Sequence, residues 1–230
     1  MLRLLYFLVV AFSAGQAQAQ EFRFSWNEFP ELSEILTPDN LSEYLMPHET
    51  DWVYGSTEAP VTIVEFFSYA CPHCKEFHEG SYRQLFETYV ETGQVQIIKR
   101  EFLLNNRSVG FELLAGAGAQ CFKNNEQNQD FAELMFNEQL NLRSATDARE
   151  SLLPIFEEVG LSNSETIKCM SDQRNLSIIF GRSLRAIDIA DVRGTPTLFI
   201  NGTKFDGDWR DFSQLSISID RALSLQTAEL

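Results

Sequence analysis

Positive charge is scarce in this sequence: 18 lysines and arginines stand against 33 acids, a formal net charge of −15. Such a surface repels phosphate backbones and anionic headgroups, so nucleic acid and membrane surfaces are poor partners. Long apolar runs are also lacking. The stretch from Leu4 to Phe12 is well short of the roughly 20 residues a spanning helix needs. Histidine is limited to three residues and cysteine to four. There is no second C-x-x-C and no H-x-x-x-H, so the two separated ligand pairs common in structural zinc sites are missing. Internal repeats and low-complexity tracts are absent as well.

The N-terminus does carry a signal. Arg3 supplies a positive start, Leu4 to Phe12 a short apolar core, and Ala17-Gln18-Ala19 a small-residue cleavage pattern. Residues 1–19 are therefore expected to be a signal peptide cleaved after about Ala19, leaving an exported chain. Roughly 210 residues remain, enough for one domain with an insertion or for two small domains. Cysteines in an exported chain lie where disulfides persist, and four of them allow three connectivities. Cys71 and Cys74 can close only a small ring with each other. That leaves Cys121 and Cys169 as the natural second pair, with two reduced buried thiols as the alternative.

Residues 20–60 form an acidic arm broken by Pro30, Pro38 and Pro47. Phe22, Phe24 and Trp26 alternate with polar residues, which suits either a short edge strand or aromatic anchors. From Val61 to Phe67 runs a β-branched and aromatic stretch bounded by Pro60 and Cys71-Pro72, the pattern of a buried central strand. Pro72 suits a first helical position, and a helix is expected to about Glu91, stopped by Gly93. Gln94 to Phe102 is the next strand, so residues 61–105 predict a β-α-β unit with a right-handed crossover. Over residues 106–190 the apolar spacing becomes helical. Four helices are marked by Leu114, Gly118, Cys121 and Phe122; by Phe131, Leu134 and Met135; by Leu152, Ile155, Phe156 and Val159; and by Leu176, Ile179, Phe180, Leu184 and Ile187. Residues 191–230 return to strands: Leu198 to Ile200, an Asn201-Gly202 turn of type I′, Thr203 to Phe205, then an amphipathic helix from about Asp211. The fold class is α/β, a β-α-β and a β-β-α segment interrupted by an all-helical insertion.

The C-x-x-C pair between a strand and a helix has a specific use. The first sulfur lies at the helix N-terminus, where unpaired N–H groups and the dipole favour negative charge. Cys71 should therefore ionise below the free value of about 8.5. That stabilises the reduced form and makes the disulfide oxidising. His73 is placed to donate to the Cys71 sulfur and push the same way. Cys74, one turn on, should be more buried and act as the resolving thiol. A metal-binding carrier is the competing use, since Cys71, Cys74, His73 and His78 are all soft ligands. His78 also suits plain packing, and His48 has no evident role.

These residues carry a family resemblance. The stretch Val61-Thr62-Ile63-Val64-Glu65-Phe66-Phe67-Ser68-Tyr69-Ala70-Cys71-Pro72-His73-Cys74 resembles the active-site strand and motif of the DsbA family of periplasmic disulfide oxidoreductases. Lys99-Arg100-Glu101-Phe102, the Cys121 and Cys169 segments and Gly194-Thr195-Pro196-Thr197 follow in the family's order, so the resemblance spans about residues 55–225. It implies a thioredoxin fold with a helical insertion and the introduction of disulfides into exported proteins in the periplasm. It further implies that Pro196 is cis and packs against the sulfurs, with Thr195 tuning the thiolate and offering backbone groups to a substrate strand. Glu65 takes the place of the family's buried acid and Lys99 that of its partner, a pair able to take protons from Cys74; a strand-end salt bridge is the other reading. Cys121 and Cys169 match a non-catalytic disulfide of one branch. No cofactor is implied. The implied partners are reduced exported polypeptides and a membrane-bound DsbB-like reoxidant. Related isomerases add an N-terminal dimerisation domain; the arm here is too short and proline-broken for one, so a monomer is expected. An isomerase or reductase kept reduced is the alternative within this chemistry.

Overall fold

The structure is a computed structural model and describes residues 7–8, 21–22, 40–104 and 109–228. The expected leader and its cleavage site lie outside the described residues apart from Phe7 and Leu8, as do Phe24 and Trp26. Among the described residues no helix is long and apolar enough to cross a membrane.

A mixed five-stranded sheet forms the frame: β1 (Trp52–Tyr54), β2 (Val61–Phe67), β3 (Val95–Glu101), β4 (Thr197–Ile200) and β5 (Thr203–Lys204). Its spatial order is β1-β3-β2-β4-β5. β2 and β3 are parallel, pairing Glu65 with Lys99, and β1, β4 and β5 add antiparallel neighbours. The central position of β2 explains its apolar composition, since both its faces are covered. Asn201 and Gly202 take φ of 43° and 80°, which gives the tight twist of the β4–β5 hairpin. Gly55 has φ 92°, and a Cβ there would meet Val95 O at 2.6 Å, so only glycine lets the chain leave β1 that close to β3.

Two helical segments differ from expectation. The crossover is not one helix to Glu91. It is α2 (Pro72–Glu79), a break at Gly80 with φ −108° and ψ −102°, then α3 (Ser81–Leu85) running into a π turn over Phe86–Val90. The break lets Phe77, Tyr82 and Leu85 reach one core under the sheet. Part of the arm is built into the body: α1 (Leu41–Tyr44) precedes β1, and β1 lies along β3. In the insertion six helices are described instead of four. They are α4 (Val109–Ala119), α5 (Asn125–Asn137), α6 (Gln139–Ser144), α7 (Ala148–Glu158), α8 (Asn163–Ser171) and α9 (Gln173–Asp188). The chain closes with α10 (Phe212–Ala228).

The apolar side chains divide into layers that place the cysteines. One cluster joins β2, β3, α2, α3 and α10, and a second joins the opposite sheet face to α1 and α9. The insertion has its own core around Phe131, Phe156 and Met135, and this core extends to Tyr69, Ala70, Cys71 and Cys74. The two cysteines therefore sit where the insertion meets the sheet.

Candidate active site

Cys71 is the N-cap of α2 and Pro72 its first residue, so the sulfur stands over the helix N-terminus. Both thiols are free. Cys71 is 4% exposed and Cys74 fully buried, at 0%. A hydrogen bond from Cys74 pulls the Cys71 thiol from 9.0 to about 5, helped by Thr195 and by the backbone N–H groups of residues 73 and 74, against burial. Cys74 moves the opposite way. Burial pushes it well above its usual value, and the neighbouring Cys71 adds to the push. One sulfur is thus prepared as a thiolate and the other as a thiol.

The loop before β4 faces the first sulfur. The Thr195–Pro196 peptide bond is cis, and the Cys71 thiol donates to Thr195 O at 3.2 Å. The Thr195 hydroxyl is buried and has no hydrogen-bond partner among the described residues, which leaves it available to the Cys71 sulfur.

His73 is placed differently from the sequence expectation. Its side chain is 59% exposed, and no hydrogen bond joins its ring to Cys71 among the described residues. The ring turns toward the loop before α10, where Arg210 Nη2 lies 3.0 Å from Nδ1 and Trp209 packs against it at 5.8 Å. Arg210 stacks on Trp209 and pairs with Glu76 at 3.1 Å. What reaches Cys71 from residue 73 is its backbone N–H. His78 stacks on Tyr82 with ring centroids 4.5 Å apart, and burial lowers it to about 2, so it stays a neutral packing group.

Beneath the cysteines lie Glu65 and Lys99, 1% and 2% exposed, with Glu65 Oε2 and Lys99 Nζ 3.9 Å apart. Lys99 Nζ sits over the rings of Phe67 and Tyr82 at 4.7 and 4.9 Å. Burial raises the Glu65 carboxyl above its ordinary value while Lys99 opposes it. The charge of Glu65 in turn contributes to the upward push on Cys74.

Cys121 and Cys169 form a disulfide, 48 residues apart in sequence, between the turn after α4 and α8. Closing a loop of that length contributes about 4 kcal/mol by the chain-entropy argument. No group of three His, Cys, Asp or Glu side chains among the described residues is placed to hold a metal ion.

A family model described as thioredoxin matches residues 47–221, most of the chain. The chain belongs to the thioredoxin family. Within that family it is 25% identical over 175 residues to a Rickettsia bellii protein named as a putative protein-disulfide oxidoreductase, covering 76% of this chain and 65% of that one. It therefore spans just under two thirds of that relative. It is 23% identical to disulfide bond formation protein D of Bacillus subtilis, covering 74% and 76% of the two chains. Among solved structures, Wolbachia pipientis α-DsbA1 superposes with a TM-score of 0.73 at 24% identity, over 83% of this chain and 99% of the other. The fold is accordingly a thioredoxin fold with a helical insertion, of the kind seen in DsbA proteins.

For a thioredoxin-family chain, the sequence reading missed three contributors around the sulfurs. Gln139 donates to the Tyr69 and Cys71 carbonyls, Glu112 pairs with the Ser68 hydroxyl, and Arg210 occupies the His73 ring. All three come from elements distant in sequence. None lies in a motif or a periodic position that would have marked it.

Proposed function

We propose that this chain is a thiol–disulfide oxidoreductase that donates disulfides to exported polypeptides. The observation that carries the reading is the asymmetry of the pair: Cys71 stands at a helix N-terminus against Thr195 O, and Cys74 is sealed beneath it. In the oxidised enzyme a substrate thiolate attacks the Cys71 sulfur, the Cys71–Cys74 bond breaks, and Cys74 leaves with the electron pair. Because Cys74 favours the thiol strongly, it takes a proton, and Glu65 is the buried acid whose charge reaches it. The substrate's second thiolate then attacks its own bridged sulfur, and Cys71 departs as a stable thiolate. Two electrons have passed to the enzyme and one disulfide to the substrate.

The low Cys71 value favours the reduced form and so an oxidising disulfide. Thr195 and Pro196 would align an extended substrate strand beside Cys71. Export through the leader would put the chain in the periplasm as a monomer, with a membrane-bound DsbB-like protein reoxidising it.

The deciding experiment is the reduction potential of the Cys71–Cys74 pair, equilibrated against glutathione buffers with Cys121 and Cys169 replaced. A value near DsbA's, about −120 mV, supports a disulfide donor. A value near thioredoxin's, about −270 mV, overturns donation in favour of a reductase.

A further inference from the structure

The insertion grips the active-site loop through one buried amide. Gln139, 3% exposed, opens the short helix α6. Its Nε2 donates to Tyr69 O at 2.7 Å and to Cys71 O at 3.0 Å, which uses both hydrogens of the amide. The Cys71 carbonyl is also where α2 begins, accepting from the N–H groups of Cys74 at 3.1 Å and Lys75 at 3.2 Å. A second tie lies beside it: the Ser68 hydroxyl, paired with Glu112 of α4, accepts from the Ala70 N–H at 3.0 Å. The Cys71 N–H returns to Ser68 O at 3.1 Å. The turn from Ser68 to Cys71 is thus held by five hydrogen bonds, and side chains of the insertion take part in three of them.

We propose that Gln139 is a positioning residue for disulfide exchange: by holding the Tyr69 and Cys71 carbonyls it keeps the Cys71 sulfur over the N-terminus of α2 and sets the redox poise of the pair. The inference rests on the thiol–disulfide reading of that pair. Its physical basis is that the helix-terminus effect falls off within one turn, so a small drift of the cap weakens it. Glutamine suits the position because its neutral amide offers two donors to two carbonyls. An ionised glutamate offers none and would set a negative charge next to the thiolate, and methionine fills a similar volume with no donor.

The test uses the full chain with Gln139→Met and Gln139→Glu. Three quantities are read: titration of Cys71 by the ultraviolet absorbance of its thiolate, the equilibrium constant with glutathione, and the thermal midpoint. Gln139→Met should make the disulfide about tenfold less oxidising, a fall of about 30 mV, with a matching rise in the Cys71 titration. Gln139→Glu should exceed it. If both variants lose thermal stability while the titration and the equilibrium stay put, Gln139 is only structural and the proposal fails. Should Gln139→Met not fold, Gln139→Leu, likewise neutral and without a donor, decides on the same titration. A wild-type chain that does not exchange with glutathione would sink the functional reading instead, and the titration would still judge Gln139.

Discussion

Lys99 and Arg100 are neighbours on β3 and carry buried positive charge to opposite faces of the sheet, and the two faces treat that charge differently. Arg100 is saturated. It donates to Asp51 at 2.6 and 3.0 Å, to Met46 O at 2.8 Å and to Tyr44 O. Arg182 of α9 joins the same cluster, pairing with Asp51 at 3.2 Å and Glu101 at 2.9 Å and donating to Thr50. Lys99 faces a single carboxylate at 3.9 Å and two aromatic rings. Asp51 and Glu65 differ accordingly, while burial keeps Glu101 raised in spite of Arg182. Burial acts upward on both, but Arg100 and Arg182 overcome it and hold Asp51 below its usual value, whereas Lys99 leaves Glu65 raised. One face locks the segment before β1 to the sheet. The other leaves a raised carboxyl beneath the cysteines, held by one lysine at 3.9 Å.

The largest effect should come from the locked face. Asp51→Ala leaves Arg100 and Arg182 buried without their shared partner, and stability should drop by about 3–5 kcal/mol, read by denaturant unfolding. The Cys71 titration should not move. The depressed Asp51 value means this stability is present above 3.8 and is lost as pH falls through the lower folded value. Glu65 has the opposite sign: with its folded value raised, its contribution is complete below 4.5 and is lost as pH rises through that raised value. A parallel pH response of Asp51→Ala and Glu65→Gln would erase the contrast.

The Glu65–Lys99 pair should be dispensable for folding and needed for rate. Replacing Glu65 by Gln and Lys99 by Met together removes a poorly bonded buried pair, and stability should hold or rise by about 1–4 kcal/mol. Release of Cys74 should slow by about 10²-fold, the lower range for a positioned proton donor. Stopped-flow reduction of the oxidised enzyme by a model dithiol measures it. Unchanged kinetics with lost stability would make Glu65 and Lys99 a structural salt bridge.

How much of this contrast was legible in the sequence depends on distance along the chain. Val61–Phe67 could be read to the residue because its composition is β-branched and its ends are marked by Pro60 and the Cys71-Pro72 step. Asn201-Gly202 announced its turn by the same kind of local chemistry. The Gly80 break was not readable, because the apolar spacing continues through it. Helix α8 did carry a signal that went unused, the capping box of Ser162 and Glu165. Asp51 and Arg100 are 49 residues apart, and Gln139 and Cys71 are 68 apart. No spacing rule links such pairs; only the sheet register and the placing of the insertion bring them together. The cysteines were visible as a motif, and Thr195, Pro196, Glu65 and Lys99 through the family resemblance, whereas Gln139, Glu112 and Arg210 were not.

The pH dependence of the potential sharpens the picture further. Below about 5 both thiols are protonated in the reduced enzyme, so two protons accompany two electrons and the potential should fall by about 59 mV per pH unit. Above about 5 only Cys74 takes a proton, and the slope should halve to about 30 mV. In stability terms, the reduced form gains from the Cys71 thiolate at high pH and loses that gain as pH falls through about 5. A single slope from pH 4 to pH 7 would mean that Cys71 is not held as a thiolate.

The smallest effect separates side chain from backbone at His73. Its position inside the C-x-x-C ring suggests that its imidazole stabilises the Cys71 thiolate, yet Arg210 occupies Nδ1 and Glu76 stands 3.6 Å from the same atom. What residue 73 gives to Cys71 is its backbone N–H, which alanine supplies equally well. An exposed contact of this kind is worth about 0–1 kcal/mol, so His73→Ala should shift the Cys71 titration by less than about 0.7 pH unit. Arg210→Ala frees the ring instead. If the imidazole then turns to the sulfur, adding His73→Ala to Arg210→Ala should matter more than His73→Ala alone. A shift of a full unit or more for His73→Ala in the otherwise unchanged chain would show that the ring already serves the sulfur, and that the Arg210 contact does not govern it.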